Sequence, residues 1–155
     1  MSKELQSLSE ILSEKTIRVN VKVKDWKDAI RKAGKLLVKV DAAEPRYIDA
    51  MIKFCEEYNA YIVIAHGIAV PHARPEDGMK TVGFSLITLK TPVPFGNPDK
   101  DPVDLVIALG GPDNKSHLRA LATLAEMLMK EEVISKIRKA KTKKEIVEIV
   151  SKYNG

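Results

Sequence analysis

The sequence predicts an α/β fold: a single mixed (parallel and antiparallel) five-stranded sheet sandwiched between helices. Three observations lead there. Five segments carry the alternating or β-branched pattern of strands, and segments with apolar residues at helical spacing precede, separate and follow them. The strand-like runs 61–65, 81–89 and 103–109 have only short connections, so part of the sheet must be antiparallel. The chain has 155 residues, 45% hydrophobic and 30% charged, which suits one domain over residues 1–155 with a core of its own.

Leu5, Leu8 and Leu12 are spaced as on an amphipathic helix. Thr16 to Val23 alternates as a half-buried strand does, with Ile17, Val19, Val21 and Val23 on one face. Asp25 can cap a helix whose stripe is Trp26, Ala29, Ile30, Ala33 and Leu37. Pro45 sits in the first turn of the next helix, where its missing N–H costs nothing. That helix has Ile48, Met51, Ile52 and Cys55 on one face, which makes Cys55 a packing residue rather than a nucleophile. Tyr61 to Ala65 reads as a buried strand. His66 and Gly67 interrupt it, Ile68 to Val70 resume it, and Pro71 ends it. After the loop Arg74 to Gly78, Thr81 to Leu89 reads as a strand that stops before the Pro-containing residues 91–94. Phe95 to Pro102 is a turn cluster. Val103 to Leu109 is a further buried strand, closed by Gly110, Gly111 and Pro112. Asp113 or Asn114 can cap the strongest helix, with Leu118, Leu121, Ala122, Ala125, Leu128 and Met129 as its stripe. A short helix surrounds Val133, Ile134 and Ile137. The last helix begins near Lys143 and presents Ile146, Ile149, Val150 and Tyr153.

Several classes of function are disfavoured at once. No apolar run is long enough to span a bilayer, and the first residues lack the basic flank and apolar stretch of a signal peptide. The lone Cys55 allows no internal disulfide. Together these point to a cytoplasmic protein with no direct membrane insertion. The 26 basic residues outnumber the 21 acidic ones by five. Nucleic acid is nonetheless not the expected partner. The lysines are dispersed, aromatics make up only 5%, and the one basic run, Lys136 to Lys144, reads as a solvated helix end and turn. No P-loop, GxGxxG, G-x-S-x-G, HExxH or CxxC pattern occurs, so no cofactor and no metal are expected.

The chemistry then rests on the three histidines, His66, His72 and His117, none of which falls in the apolar stripes above. The default role of a histidine is a surface or hydrogen-bonded structural one. Two neighbours set His72 apart. Pro71 has a fixed φ and presents the ring from a defined turn. Arg74, two residues on, can offer its guanidinium fork to a phosphate or carboxylate. A neutral imidazole is a competent nucleophile toward phosphorus. His117 falls in the first turn of the helix that begins near Asn114, where free N–H groups and the helix dipole favour anions. If the strands before His72 and His117 run parallel, both rings reach one rim of the sheet.

At Ile68-Ala69-Val70-Pro71-His72 the chain resembles the IIA component of the bacterial phosphoenolpyruvate-dependent sugar phosphotransferase system. The match is to the mannitol/fructose class (EIIA type 2), whose active histidine lies in an apolar-Ala-apolar-Pro-His motif. The extended run Pro71 to Gly78, and Phe95-Gly96-Asn97 further on, look most like the ascorbate-specific branch. Ser116-His117-Leu118 before a long Ala/Leu helix adds to the resemblance, which covers nearly the whole chain. It implies a phosphotransferase component with a phosphohistidine intermediate. His72 would accept the phosphoryl group from the phosphocarrier HPr and pass it to a cysteine of a IIB protein, which serves a membrane IIC component. His117 would steady the phosphoryl group. Mannitol-type members carry an acidic residue at the position of His66 and an arginine in the segment matching Lys53 to Cys55. Neither is present here, and Arg74 stands as the replacement charge. The same class includes nitrogen-type regulators and sensor modules, so a regulatory phosphoprotein is the alternative. The transported sugar is not written in this chain.

Overall fold

The computed structural model describes residues 12–154. Leu5 and Leu8 of the expected first helix lie outside the described residues, and Leu12 is fully buried. Ser13 caps a short 3-10 turn, Glu14–Thr16, which leads into strand β1 (Ile17–Val21). The Asp25 carboxylate accepts the Asp28 N–H at 2.8 Å and opens helix α1 (Trp26–Lys39), which buries Ala29, Ile30, Ala33 and Leu37 as the periodicity requires. Helix α2 (Arg46–Glu57) follows Pro45 and buries Tyr47, Met51, Ile52 and Cys55. Burial pushes the Cys55 thiol up to about 12, consistent with a packing role.

Two boundaries differ from the sequence reading. Asn59–Ile62 forms a helical turn, α3, so strand β2 is only Val63–Ala65. The Tyr61 N–H is satisfied by the Tyr58 carbonyl at 2.9 Å, and strand pairing begins only where β3 (Ile68–Ala69) offers a partner. At the other boundary, β4 (Gly83–Val93) continues through Pro92 to Val93. A register shift lies between Thr88 and Val93, and residues 90–92 are exposed. A bulge leaves its extra residues outside the ladder, so Pro92 forfeits no hydrogen bond there. Strand β5 (Val103–Gly110) completes the set.

The sheet order is β1-β4-β5-β3-β2. β1 pairs parallel with β4, β4 antiparallel with β5, β5 parallel with β3, and β3 antiparallel with β2. Alternation along β5 divides the core in two. Val106 and Ala108 face α1 and α2. Leu105, Ile107 and Leu109 face the second helical layer, made of α4 (Asn114–Leu128), α5 (Glu131–Lys139) and α6 (Lys143–Asn154). The sheet is thus mixed, five-stranded and covered on both faces. The basic run sits at the end of α5 and in the turn to α6. There Lys136 and Lys139 share a groove of about 540 Å³ with Glu132, Glu145 and Glu148, the bland arrangement expected of it.

Helix α4 is rotated relative to the stripe read from its spacing. It buries His117, Ala120, Leu124 and Met127, with Leu121 and Leu128 half-buried. Leu118 is 65% exposed and Met129 80% exposed, and Ala122 and Ala125 also face outward. Apolar residues occupy both sides of this helix, so two registers satisfy the periodicity. The start of the helix selects between them: Asp113 caps it and turns His117 inward. His117 therefore does sit in an apolar stripe, contrary to the sequence reading, and begins it.

Candidate active site

β3 and β5 are neighbours and parallel, so their carboxyl ends open on the same rim. Their register pairs Ile68 with Leu105 and Ala69 with Val106. Continued at that offset beyond β3, it sets His72 opposite Leu109. The backbone honours this register: the Leu109 N–H donates to the Pro71 carbonyl at 3.1 Å. Pro71 itself has no N–H to give, so the ladder loses one donor there, while the Pro71 carbonyl keeps its place in the register.

His72 is 7% exposed, and its Nδ1 lies 2.8 Å from the Val70 carbonyl oxygen. A carbonyl only accepts, so the proton sits on Nδ1 and the neutral ring keeps its lone pair on Nε2. Burial holds the His72 imidazole below its ordinary value, and the hydrogen bond to Val70 opposes this only in part. The free Nε2 is therefore available at neutral pH. The Phe54 ring from α2 lies 5.1 Å from the His72 ring and walls one side of it.

His117 comes to the same place from β5. Gly110 and Gly111 close the strand, and Asp113 caps α4 in a reciprocal box. The Ser116 N–H donates to the Asp113 carboxylate at 2.8 Å, and the Asp113 N–H donates to the Ser116 hydroxyl at 3.3 Å. The turn is tight because residue 111 has no side chain. A Cβ there would lie 2.6 Å from Ser116 Oγ and 2.8 Å from the His117 amide nitrogen. The His117 and His72 ring centroids are 5.7 Å apart. Burial, and next the neighbouring His72, hold the His117 imidazole below its ordinary value, while Glu76 pulls it the other way. His117 Nδ1 is buried and has no hydrogen-bond partner within the protein. An unpaired buried nitrogen at the first turn of a fifteen-residue helix is suited to an anionic guest.

Arg74 and His66 are placed differently. Arg74 is exposed at the start of the short 3-10 turn Pro75–Asp77. It lines a groove of about 430 Å³ together with Lys53, Phe54, Tyr58, Glu76 and Asp77. Phe54 joins that groove to the His72 ring, so Arg74 and Lys53 border the histidine pair from the side. His66 precedes β3 while His72 follows it, which puts His66 at the opposite rim. There its carbonyl accepts from the Arg138 guanidinium at 3.0 Å, and Arg138 also binds Asp104 at 3.0 Å. Among the described residues, no three His, Cys, Asp or Glu side chains gather closely enough to hold a metal ion. Phe54 and Tyr47 were missed by the sequence reading. Tyr47 sends its hydroxyl from α2 to the Leu109 carbonyl at 2.9 Å and accepts the Ala73 N–H at 3.0 Å.

Comparison with known proteins decides the family. Residues 10–153 match the family described as "Phosphoenolpyruvate-dependent sugar phosphotransferase system, EIIA 2". The chain belongs to this EIIA family. The ascorbate-specific PTS system EIIA component of Escherichia coli strain K12 is 36% identical over 146 residues, covering 94% of this chain and 95% of that protein. Among solved structures, the mannitol-specific cryptic phosphotransferase enzyme IIA CmtB from Escherichia coli superposes with a TM-score of 0.85 at 34% identity, covering 95% of this chain and 99% of the other. The mannitol enzyme IIA from Escherichia coli, solved in complex with phosphorylated enzyme IIB, gives a TM-score of 0.76 at 28% identity over 89% of this chain and 95% of that one. The ascorbate-type and mannitol-type likenesses read from the sequence therefore both hold. Among the described residues, no helix of this EIIA protein is long and apolar enough to cross a membrane. Its two histidines lie, both buried, at the rim where the adjacent parallel strands β3 and β5 end.

Proposed function

We propose that this EIIA protein carries a phosphoryl group on His72 Nε2, received from HPr and delivered to a cysteine of a IIB protein, within an ascorbate-type transport chain in the cytoplasm. The observation that carries the reading is the hydrogen bond from His72 Nδ1 to the Val70 carbonyl, beside a second buried imidazole 5.7 Å away. In the first step the Nε2 lone pair attacks the phosphorus of the donor phosphohistidine. The new N–P bond forms as the donor N–P bond breaks, and the donor imidazole leaves with the electron pair. In the second step the IIB thiolate attacks the same phosphorus and His72 leaves as the neutral ring. Neither step consumes an external oxidant or reductant.

His117 has the role of receiving the phosphoryl charge. Its buried Nδ1 has no partner within the protein and can serve a phosphoryl oxygen, while the N–H groups of Ser116 and His117 are held by the Asp113 cap and leave the ring as the contact. Negative charge on His72 favours the protonated form of His117, so helper and phosphoryl group stabilise each other. Arg74 and Lys53 place two cations in the side groove, among the carboxylates of Glu57, Glu76 and Asp77.

The test is labelling with phosphoenolpyruvate, Enzyme I and HPr. The expected product is an acid-labile, base-stable phosphate that disappears in His72→Ala. Label retained by His72→Ala would overturn the assignment. His117→Ala should still be labelled, but at least tenfold more slowly, and wild-type kinetics there would remove its role. Onward loss of the label to a IIB cysteine supports transport. A label that no IIB accepts would instead indicate regulation.

A further inference from the structure

The parallel ladder between β3 and β5 would normally continue as a direct bond from the Ala73 N–H to the Leu109 carbonyl, because Leu109 already donates its N–H to Pro71. That bond is absent. The Tyr47 hydroxyl is inserted in its place, accepting from Ala73 at 3.0 Å and donating to Leu109 at 2.9 Å. The two residues flanking His72 are thus both tied to Leu109, one directly and one through a phenol. Leu109 is also two residues from Gly111, where the turn into His117 begins.

The Tyr47 ring is fully buried. Two glycines give way to it. A Cβ on Gly110 would lie 2.6 Å from the Tyr47 hydroxyl oxygen, and one on Gly78 would lie 3.2 Å from Tyr47 Cβ. Burial raises the phenol far above its ordinary value, so it remains a hydroxyl able to donate and accept at once. A hydroxyl so enclosed has one orientation, and the gap it holds open fixes how far His72 stands off from the end of β5.

We infer that Tyr47 is a positioning residue for phosphoryl transfer: its hydroxyl acts as a spacer in the β3–β5 ladder and sets the His72 ring against His117. The inference rests on the phosphotransfer reading for its kinetic consequence but not for its geometric one. Without the hydroxyl, Ala73 and Leu109 either close into a direct ladder bond or remain unpaired. In the first case the backbone carrying His72 closes on β5; in the second Ala73 loses its tether to β5, and the His72 ring is no longer held at a set distance.

The test is Tyr47→Phe, which keeps the ring and removes only the spacer. Single-turnover phosphorylation by phosphorylated HPr should slow at least tenfold at saturating donor, with the donor affinity within twofold of wild type. Nitrogen NMR of the imidazoles should show His72 losing its fixed Nδ1–H form and the titration midpoints of His72 and His117 shifting. Ser85→Ala is the control for mere loss of a buried hydrogen bond. The Ser85 hydroxyl is as buried, donates to the Ala33 carbonyl at 2.7 Å, and lies under α1 away from the histidines. It should lower the melting temperature and leave transfer unchanged. A wild-type transfer rate in Tyr47→Phe, or equal slowing in Ser85→Ala, overturns the inference. If the wild-type protein itself takes no phosphate, the phosphotransfer reading fails, and the NMR comparison decides alone: unchanged ring signals in Tyr47→Phe refute the spacer.

Discussion

Replacing Gly111 by Ala is the sharpest perturbation of the histidine pair that touches neither ring. The added Cβ would meet Ser116 Oγ at 2.6 Å, the His117 nitrogen at 2.8 Å and the Ser116 carbonyl carbon at 2.9 Å. The Ser116 hydroxyl can rotate away, but two of the three atoms are backbone in the first turn of α4. Reaching an ordinary 3.4 Å contact with the His117 nitrogen requires a displacement of about 0.6 Å, and overpacking of this kind costs about 1–3 kcal/mol. For a domain of this size that lowers the melting temperature by roughly 2–12 °C. The functional cost should exceed the stability cost, since a shift of about 1 Å in a catalytic group can reduce a rate by about 10²-fold. We expect Gly111→Ala to remain folded at 25 °C and to be phosphorylated on His72 about 10–100-fold more slowly. Circular dichroism on heating and rapid-quench labelling measure the two effects. Wild-type stability together with wild-type transfer would refute the claim that this close approach sets the position of His117.

Protonation supplies a second prediction. His72 and His117 both bind protons less readily in the folded state than the ordinary value of about 6.5 in the unfolded chain. Below that value the unfolded state holds more protons, so stability rises with pH there and falls as the solution is acidified from 7 to 5, by up to about 1.4 kcal/mol per pH unit for each ring. Urea midpoints across this range should show the slope, and His72→Gln/His117→Gln should flatten it; an unchanged slope in the double variant would place its origin elsewhere. Gly67→Ala tests the opposite rim. Gly67 has φ +75°, so alanine there costs about 1–2 kcal/mol, while phosphorylation of His72 should stay within twofold of wild type. Cys55 is buried with its thiol near 12, so a thiol reagent at pH 8 should label the native protein far more slowly than the urea-unfolded chain. Equal labelling rates would show that α2 opens freely.

Much of this architecture could be read before any coordinates, and the reasons are local. Pro71 ends an apolar run and fixes the backbone before His72, so one residue type carries both strand end and ring presentation. Asp113 announces the start of α4, which puts His117 in its first turn. The parallel relation of β3 and β5 brings these two local facts together, and short loops elsewhere already required a mixed sheet. The failures are equally physical. Leu118 and Met129 match helical spacing as well as Ala120 and Leu124 do, and only the capped start of the helix chooses between the faces. Tyr61 looks like part of a strand because its propensity is β-favouring, but the backbone finds local partners first. Tyr47 and Phe54 lie in an amphipathic helix where an aromatic residue counts as core. That one lends a hydroxyl to a neighbouring strand, and the other a ring to a histidine, depends on which strand end the fold sets beside α2. Arg74 is adjacent to the histidine in sequence, yet it turns outward with the short 3-10 helix and borders a side groove.

The parallel pairing of β3 with β5 has one more consequence. Neighbouring strands are held about 4.8 Å apart by backbone bonding that is the same whatever the side chains. One imidazole follows the end of β3 and the other lies in the first turn of the helix that β5 feeds, so the sheet serves as a gauge block for the roots of both segments, whose rings stand 5.7 Å apart. Apolar residues far from the rim can be exchanged without altering this pitch, whereas the Gly111 turn and the start of α4 cannot shift without moving His117.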